Sequence, residues 1–397
     1  MADRLLYIAN LRLPTEKAHG LQIVQNCEAF ADAGVEVTLW AARRVNTPEM
    51  RPYSGDPWAY YGVKRNFTIQ RIPCLDLLSL VPAALQPLAF ALQLATFALA
   101  VFLKALVTAA DIYYSRDLLV FWLLSLIKSP RALVYEAHRL STGRGRWLQQ
   151  RVVRRAGTVV AITPKLSDDL IALGADPPRI IVAHDGIRRE RFASVPDQAE
   201  ARRVVGWPED AFIVGYVGRL HTLQMDKGLS TLIDALRQVE GASLGLVGGP
   251  DDMAEALRQH WLSLGLDETR FLCAGHVPPE RVPLYLSAFD VCAMPHPWTE
   301  HFAYHTSPIK LFEYMASRRP IVASDLPGWA DVVQDGESAL LVPPGDVDAF
   351  AASINRLRDD PALRERLASS AYTRVMEQYT WDARARRIFE QVMRNEI

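Results

Sequence analysis

Apolar residues recur along the chain in two periods. Short, nearly continuous apolar runs appear at Leu5–Asn10, Val35–Trp40, Asp111–Arg116, Ala132–Tyr135, Thr158–Thr163 and Ile180–Ala183. A second series follows at Phe212–Arg219, Ala242–Val247, Phe271–Val277, Asp290–Met294, Ile321–Ala323 and Leu340–Asp346. Runs of this length, bounded by Gly, Pro and polar residues, read as strands buried on both faces. Between them lie stretches with helical spacing, among them Leu21–Gly34, Lys165–Leu173 and Trp381–Arg394. Strand, loop, helix, strand is the opening of a doubly wound α/β domain, and the pattern occurs twice. A polar, proline-bearing stretch, Arg188 to Pro208, separates the two series and is read as the linker. The expected domains are therefore 1–195 and 196–380, with the last helix, 381–394, crossing back to the first.

One stretch breaks the alternation. Residues 77–103 contain no charged side chain. That length could span a bilayer. Pro82, Gln86, Pro87, Gln93 and Thr96 interrupt it, and it leads directly into the strand at Asp111. It is read as a helix packed on the sheet with a greasy face toward a membrane interface.

A chain of 397 residues accommodates two domains, and half of its residues are apolar. The net charge of −1 conceals an asymmetry: residues 1–195 carry 24 Lys+Arg against 16 Asp+Glu, leaving 20 against 29 for the rest. Arg139 to Arg155 holds six arginines and no acid, with Trp147 among them. A basic first half favours an anionic membrane surface or a phosphate-bearing acceptor. No nucleic-acid motif accompanies the arginines, so nucleic acid is not an expected partner. Four cysteines without paired spacing argue against a zinc site and a disulfide framework and fit a reducing compartment. The N-terminal apolar run is too short for a signal-peptide core. A cytoplasmic protein at the inner face of the cell membrane is expected.

The chemistry concentrates in PHPWTEHFAYHTSPIKLFEYMASRRPIVASD, residues 295–325. Ser307-Pro308 starts a helix: a capping hydroxyl, then a ring that fits the first helical position. Lys310 in the first turn opposes the helix dipole unless an anion is bound there. Glu313, one turn on, could hold a ribose hydroxyl pair. Gly218-Arg219 ends a buried strand, and Lys227-Gly228 opens the next helix. A guanidinium and an ammonium so placed would grip a diphosphate. In the first half, Gly20 opens a helix after the loop Pro14–Gly20, where the backbone could approach an anion, with Lys17 and His19 in reach. His138 stands at the carboxyl end of a strand, where ligands of such sheets sit. The first loop is no G-x-G-x-x-G fingerprint, which disfavours a nicotinamide cofactor.

The segment SPIKLFEYMASRRPIVASDLPGWADVV resembles the nucleotide-sugar motif of the retaining glycosyltransferases of family four. VVAITPKLSDDLIALGADPPRIIVAHDGI resembles the end of that family's first domain, and G-R…K-G at 218–228 its phosphate pattern. The resemblance implies the GT-B fold, two Rossmann-like domains facing across a cleft. It implies a retaining, metal-independent transfer from a nucleotide-diphosphate sugar to a glycan or lipid-linked acceptor, in cell-envelope polysaccharide assembly. Arg219 and Lys227 would hold the diphosphate, Glu313 the ribose, and His138 would face the sugar. Gly20, Gly218, Gly248, Ser307, Pro308, Ile309 and Lys310 would approach the donor, and Val277 would border the base. The family usually shows two glutamates seven residues apart; the first would fall at position 305, which is His305 here. No cofactor is implied. An epimerase or hydrolase on the same fold, or a non-catalytic membrane-associated relative, are the alternatives.

Overall fold

The computed structural model describes residues 4–48, 50–222, 225–304, 307 and 309–395. Two compact units emerge: Met1–His184 with Trp381–Ile397, and Asp185–Thr380. The change of unit at His184 precedes the expected linker. The polar stretch 188–208 folds into two helices of the second unit, because Asp197 caps one of them and Ala201 and Arg202 bury against it.

The first unit contains β1 (Arg4–Ala9), α1 (Ala18–Asp32), β2 (Glu36–Ala42), α2 (Pro57–Tyr61), β3 (Thr68–Ile72), α3 (Gln86–Leu106), β4 (Ile112–Ser115), α4 (Leu118–Leu124), β5 (Leu133–Ala137), α5 (Gly143–Arg155), β6 (Thr158–Ala161), α6 (Pro164–Leu173) and β7 (Ile180–Val182). Its sheet is all parallel in the order β3-β2-β1-β4-β5-β6-β7. Alternation sorts each strand between two cores. Leu5, Tyr7 and Ala9 face the layer holding α1; Leu6 and Ile8 face the layer holding α3, α4, α5 and α6. α6 shows how sequence sets a boundary: Thr163 accepts the Leu166 N–H at 3.2 Å, Pro164 follows it, and Gly174 closes the helix at φ +115°.

The second unit contains α7 (Glu190–Ala193), α8 (Gln198–Val205), β8 (Phe212–Val217), the short pair β9 (His221–Thr222) and β10 (Met225–Asp226), α9 (Leu229–Leu236), β11 (Ala242–Val247), α10 (Asp251–Ser263), β12 (Phe271–Gly275), α11 (Val282–Ala288), β13 (Val291–Met294), α12 (Glu300–Tyr304), α13 (Ile309–Ala316), β14 (Ile321–Ser324), β15 (Leu340–Val342), α14 (Val347–Asp359) and α15 (Pro361–Gln378). Its main sheet is parallel in the order β12-β11-β8-β13-β14-β15. β8 is central, so its carboxyl end opens at the change of winding direction, where such sheets take ligands. Three helices follow β15; the third, α16 (Trp381–Arg394), belongs to the first unit.

α16 packs through Trp381, Ala385, Ile388 and Val392, an i, i+4, i+7, i+11 stripe buried in the α1 layer. Its polar anchor is Arg384, 1% exposed. That guanidinium donates to the His184 carbonyl at 3.1 Å and to Asn26 Oδ1 at 3.0 Å, and lies 3.0 Å from Glu136. Glu136 is itself fully buried and also meets Arg116 at 2.8 Å, His138 and the Tyr114 hydroxyl. Burial alone would raise its pKa; the charges of Arg116 and Arg384 and the His138 hydrogen bond override it and hold the carboxyl well below its usual range. Removing one partner of a buried ion pair leaves charge uncompensated, which costs about 3–5 kcal/mol. Arg384→Met should therefore lower the unfolding free energy of the first unit by about 3 kcal/mol in urea titration. A change of only a few tenths would show that α16 is held by its apolar stripe alone.

Candidate functional site

The site in the second unit is built on the carboxyl ends of three neighbouring strands. Gly218 N–H donates to the Val247 carbonyl at 2.8 Å, Gly248 N–H to Gly275 at 2.7 Å, and Leu220 N–H to Gly249 at 3.0 Å. β8, β11 and β12 are thus stitched together just past their ends. Gly248 has φ +136°, and a Cβ there would lie 2.0 Å from the Gly218 carbonyl oxygen. Only glycine fits. The result is a floor of backbone without side chains.

α13 brings its first turn to this floor. Tyr314, fully buried, accepts the Val217 N–H at 2.9 Å and fixes the helix to the end of β8. Lys310 then reaches Gly218: its Nζ is 3.1 Å from where a Gly218 Cβ would be. It donates to the Tyr216 hydroxyl and lies 4.1 Å from that ring's centroid. Lys227 lies beside Lys310 and feels the charge of Arg219. Gly228, at φ +77°, lets the chain pass against the Pro295 carbonyl, since a Cβ would come within 1.7 Å of that oxygen. Among the described residues no carboxylate pairs with Arg219, Lys227 or Lys310.

Electrostatics record the crowding. Burial first, then the Arg219 charge, push Lys227 down to about 8. Burial and the Lys227 charge push Lys310 well below its ordinary value. His296, buried between Phe302 and Trp329, is held well below its usual value by burial and then by the two lysines. It is therefore neutral, and its Nδ1 is buried without a hydrogen-bond partner. Such an arrangement, cations with no carboxylate in salt-bridge contact among the described residues above a floor of side-chain-free backbone, is suited to a polyanion.

Glu313 lies one turn beyond Lys310. Its Oε1 accepts from Arg191 at 2.9 Å, and Arg191 also donates to the Pro279 carbonyl. The carboxylate is thereby fixed between α13 and the turn after β12, with acceptor capacity left for a hydroxyl. Val277 lies half-buried in that turn, packed on the core. The Ser307 hydroxyl accepts the Asp185 N–H at 3.1 Å. Ile309 begins α13, half-buried. His305 and Pro308 lie outside the described residues.

The sequence candidates of the first unit stand by themselves. His138 Nε2 is bonded to Glu136, so a buried carboxylate sets which ring nitrogen carries a proton. Gly20 falls inside the first turn of α1 rather than ahead of it. A Cβ there would meet the Tyr61 hydroxyl and Thr15 Cγ2 at 2.4 Å. Close packing thus accounts for this glycine, in place of the expected approach to an anion. Sequence reasoning missed Arg191, which sits in the stretch read as linker, and His296 and Tyr216, which carry no motif signal. Tyr216 was findable only as a strand position two residues before Gly218.

Family models match both halves of the chain: one described as glycosyl transferases group 1 over residues 211–360, another as glycosyl transferase 4-like domain over 19–186. Among curated proteins, the D-inositol 3-phosphate glycosyltransferase of Streptomyces bingchenggensis is 31% identical over 251 residues, 60% of this chain and 52% of that protein. The enzyme of the same name from Thermomonospora curvata is 32% identical over 261 residues, 61% and 58% of the two chains. The match thus spans little more than half the length of these relatives. Two solved structures share the fold over almost the whole chain. HepE from Anabaena, solved with UDP and glucose, has 20% identity and TM-score 0.72, covering 98% of this chain and 99% of that one. Sucrose-phosphate synthase from Thermosynechococcus elongatus has 22% identity and TM-score 0.76, covering 99% and 98%.

An anion bound at these cations favours their charged forms and so draws protons in. Affinity for a nucleoside diphosphate, whose own phosphates are ionised above about pH 7, should fall as the pH rises through about 8, the value for Lys227. Titration calorimetry checks it, and Lys227→Arg should flatten the profile. Affinity constant across that range in the unsubstituted protein would show that Lys227 does not meet the ligand.

Proposed function

The chain belongs to the family-four glycosyltransferases of the GT-B fold, and from that premise we propose that it transfers a sugar from a nucleotide-diphosphate donor with retention of configuration. The observation that carries this reading is the trio Arg219, Lys227 and Lys310 above the Gly218–Gly248 floor. Charge grows on the diphosphate as the glycosidic bond breaks, and fixed cations in a partly dry site stabilise it without reorganising. Protein cations take the part that a metal ion plays elsewhere, so transfer proceeds in the presence of a chelator. Glu313 holds the ribose hydroxyls, and Val277 borders the base. His138, oriented by Glu136, meets the sugar. The departing phosphate accepts the acceptor's proton on the face it leaves. UDP-glucose, with which an Anabaena structure of this fold was also solved, is the first donor to try.

The acceptor follows from the first unit's charge. Its basic surface suits a lipid-linked glycan or an anionic polysaccharide precursor at the inner face of the cell membrane. The phosphorylated inositol named in the relatives is the small acceptor to test beside it.

The double variant Arg219→Ala with Lys227→Ala should lose at least about 10²-fold in transfer rate, read by release of nucleoside diphosphate with acceptor present. Near-normal transfer would sink the diphosphate assignment. Conversion of the sugar with donor alone would replace transfer by epimerisation or hydrolysis.

A further inference from the structure

We propose that the face of the first unit formed by α3 and α5 docks on an anionic lipid surface. The inference deepens the reading of a membrane-linked acceptor by joining the leucines of α3 to the basic surface that reading uses, and it is tested without donor or acceptor.

α3 has two apolar stripes on nearly opposite faces. Ala89, Gln93, Phe97, Val101 and Ala105 are buried against the sheet. On the face turned away from the sheet, Leu88, Leu92, Leu99, Leu103 and Leu106 are 41–70% exposed. A helix covering a sheet in water carries polar residues on that outer stripe. Here the only charge on the helix is Lys104, and it is turned back to Gln70 at 3.0 Å and to the Trp40 ring. By length and composition residues 83–106 could cross a membrane, yet only a third of their most apolar window is buried within the protein. The inner stripe argues against crossing. Gln93 exchanges hydrogen bonds with Asn10 at 2.8 and 3.1 Å, which ties α3 to the end of β1. A helix so anchored, greasy on its outer side, lies along an interface rather than through it.

The charge comes from α5. α4 packs against both α3 and α5, so all three lie in one layer on the same face of the sheet. Arg144, Arg146, Arg151, Arg154 and Arg155 are exposed on α5, and none has a carboxylate partner among the described residues. Trp147, 55% exposed, projects beside them under the Arg151 guanidinium, 4.1 Å from its ring centroid. The whole unit carries 25 Lys+Arg against 17 Asp+Glu. An anionic bilayer satisfies both halves of this face: acyl chains take the leucines, headgroups take the arginines, at about 1 kcal/mol per cation near the surface, and Trp147 suits the boundary. A second copy of the chain would cover the leucines but set arginine against arginine. A polyanion in solution would take the arginines and leave the leucines wet.

The test uses the full chain and co-sedimentation with phosphatidylcholine vesicles, with and without phosphatidylglycerol. Binding is expected only to the anionic vesicles, falling as salt is raised. Leu99→Gln with Leu103→Gln, and separately Arg144→Gln with Arg146→Gln, should each weaken it by about tenfold, roughly 1.4 kcal/mol. Both pairs are exposed, so thermal melting and nucleoside diphosphate affinity should stay unchanged. Failure to sediment with anionic vesicles overturns the proposal, as does full binding by the leucine variant. A dimer in solution that the leucine variant abolishes would assign the face to a second copy instead. Loss of vesicle binding with donor binding intact separates failure of this surface from failure of the glycosyltransferase reading.

Discussion

Three cationic side chains held together with no carboxylate in salt-bridge contact among the described residues is the constraint on which the second unit turns. Like charges at this range repel, and burial makes the two lysines more costly to keep ionised. The depressed values of Lys227 and Lys310 record that tension. The surroundings hold the arrangement in place rather than relieve it. Tyr314 pins α13 to β8, Tyr216 seats the Lys310 ammonium on its ring, and the glycines at 218, 228 and 248 keep side chains out of the space. A diphosphate bound as proposed would supply negative charge that offsets this repulsion.

The first unit solves the opposite problem. There one buried carboxylate, Glu136, gathers Arg116, Arg384, His138 and Tyr114 around it. The charges are compensated, and the network ties the last helix of the chain to the strand end that carries His138. A residue proposed to meet the sugar and a helix that packs on the first unit thus share one anchor. It follows that His138 orientation depends on a helix more than two hundred residues away in sequence.

The doubly wound architecture was legible because each strand is a short apolar run with turn residues at its ends, a local signal. The cations of the second unit were legible as well, since Arg219, Lys227 and Lys310 follow strand ends or begin helices, where an unpaired charge is conspicuous. Three features were not. The region 188–208 looks like a linker by composition, yet capping by Asp197 and burial of Ala201 fold it, and both depend on tertiary packing. Gly20 looks like an anion loop, but Tyr61 from α2 fills the space where a side chain would go. Arg191, 122 positions from Glu313, becomes its partner only once the intervening chain has folded. Likewise the leucines of α3 and the arginines of α5 were each visible alone. Their shared layer depends on α4 lying between them.

The most direct measurement is the affinity of the unsubstituted protein and of Lys310→Met for a nucleoside monophosphate and the diphosphate of the same base, by titration calorimetry. The account predicts that the β-phosphate tightens binding at least about tenfold, worth some 1.4 kcal/mol, and that Lys310→Met removes most of that gain while leaving the monophosphate nearly unaffected. Equal affinity for the two nucleotides in the unsubstituted protein would contradict it, because the cations would then have no diphosphate to hold.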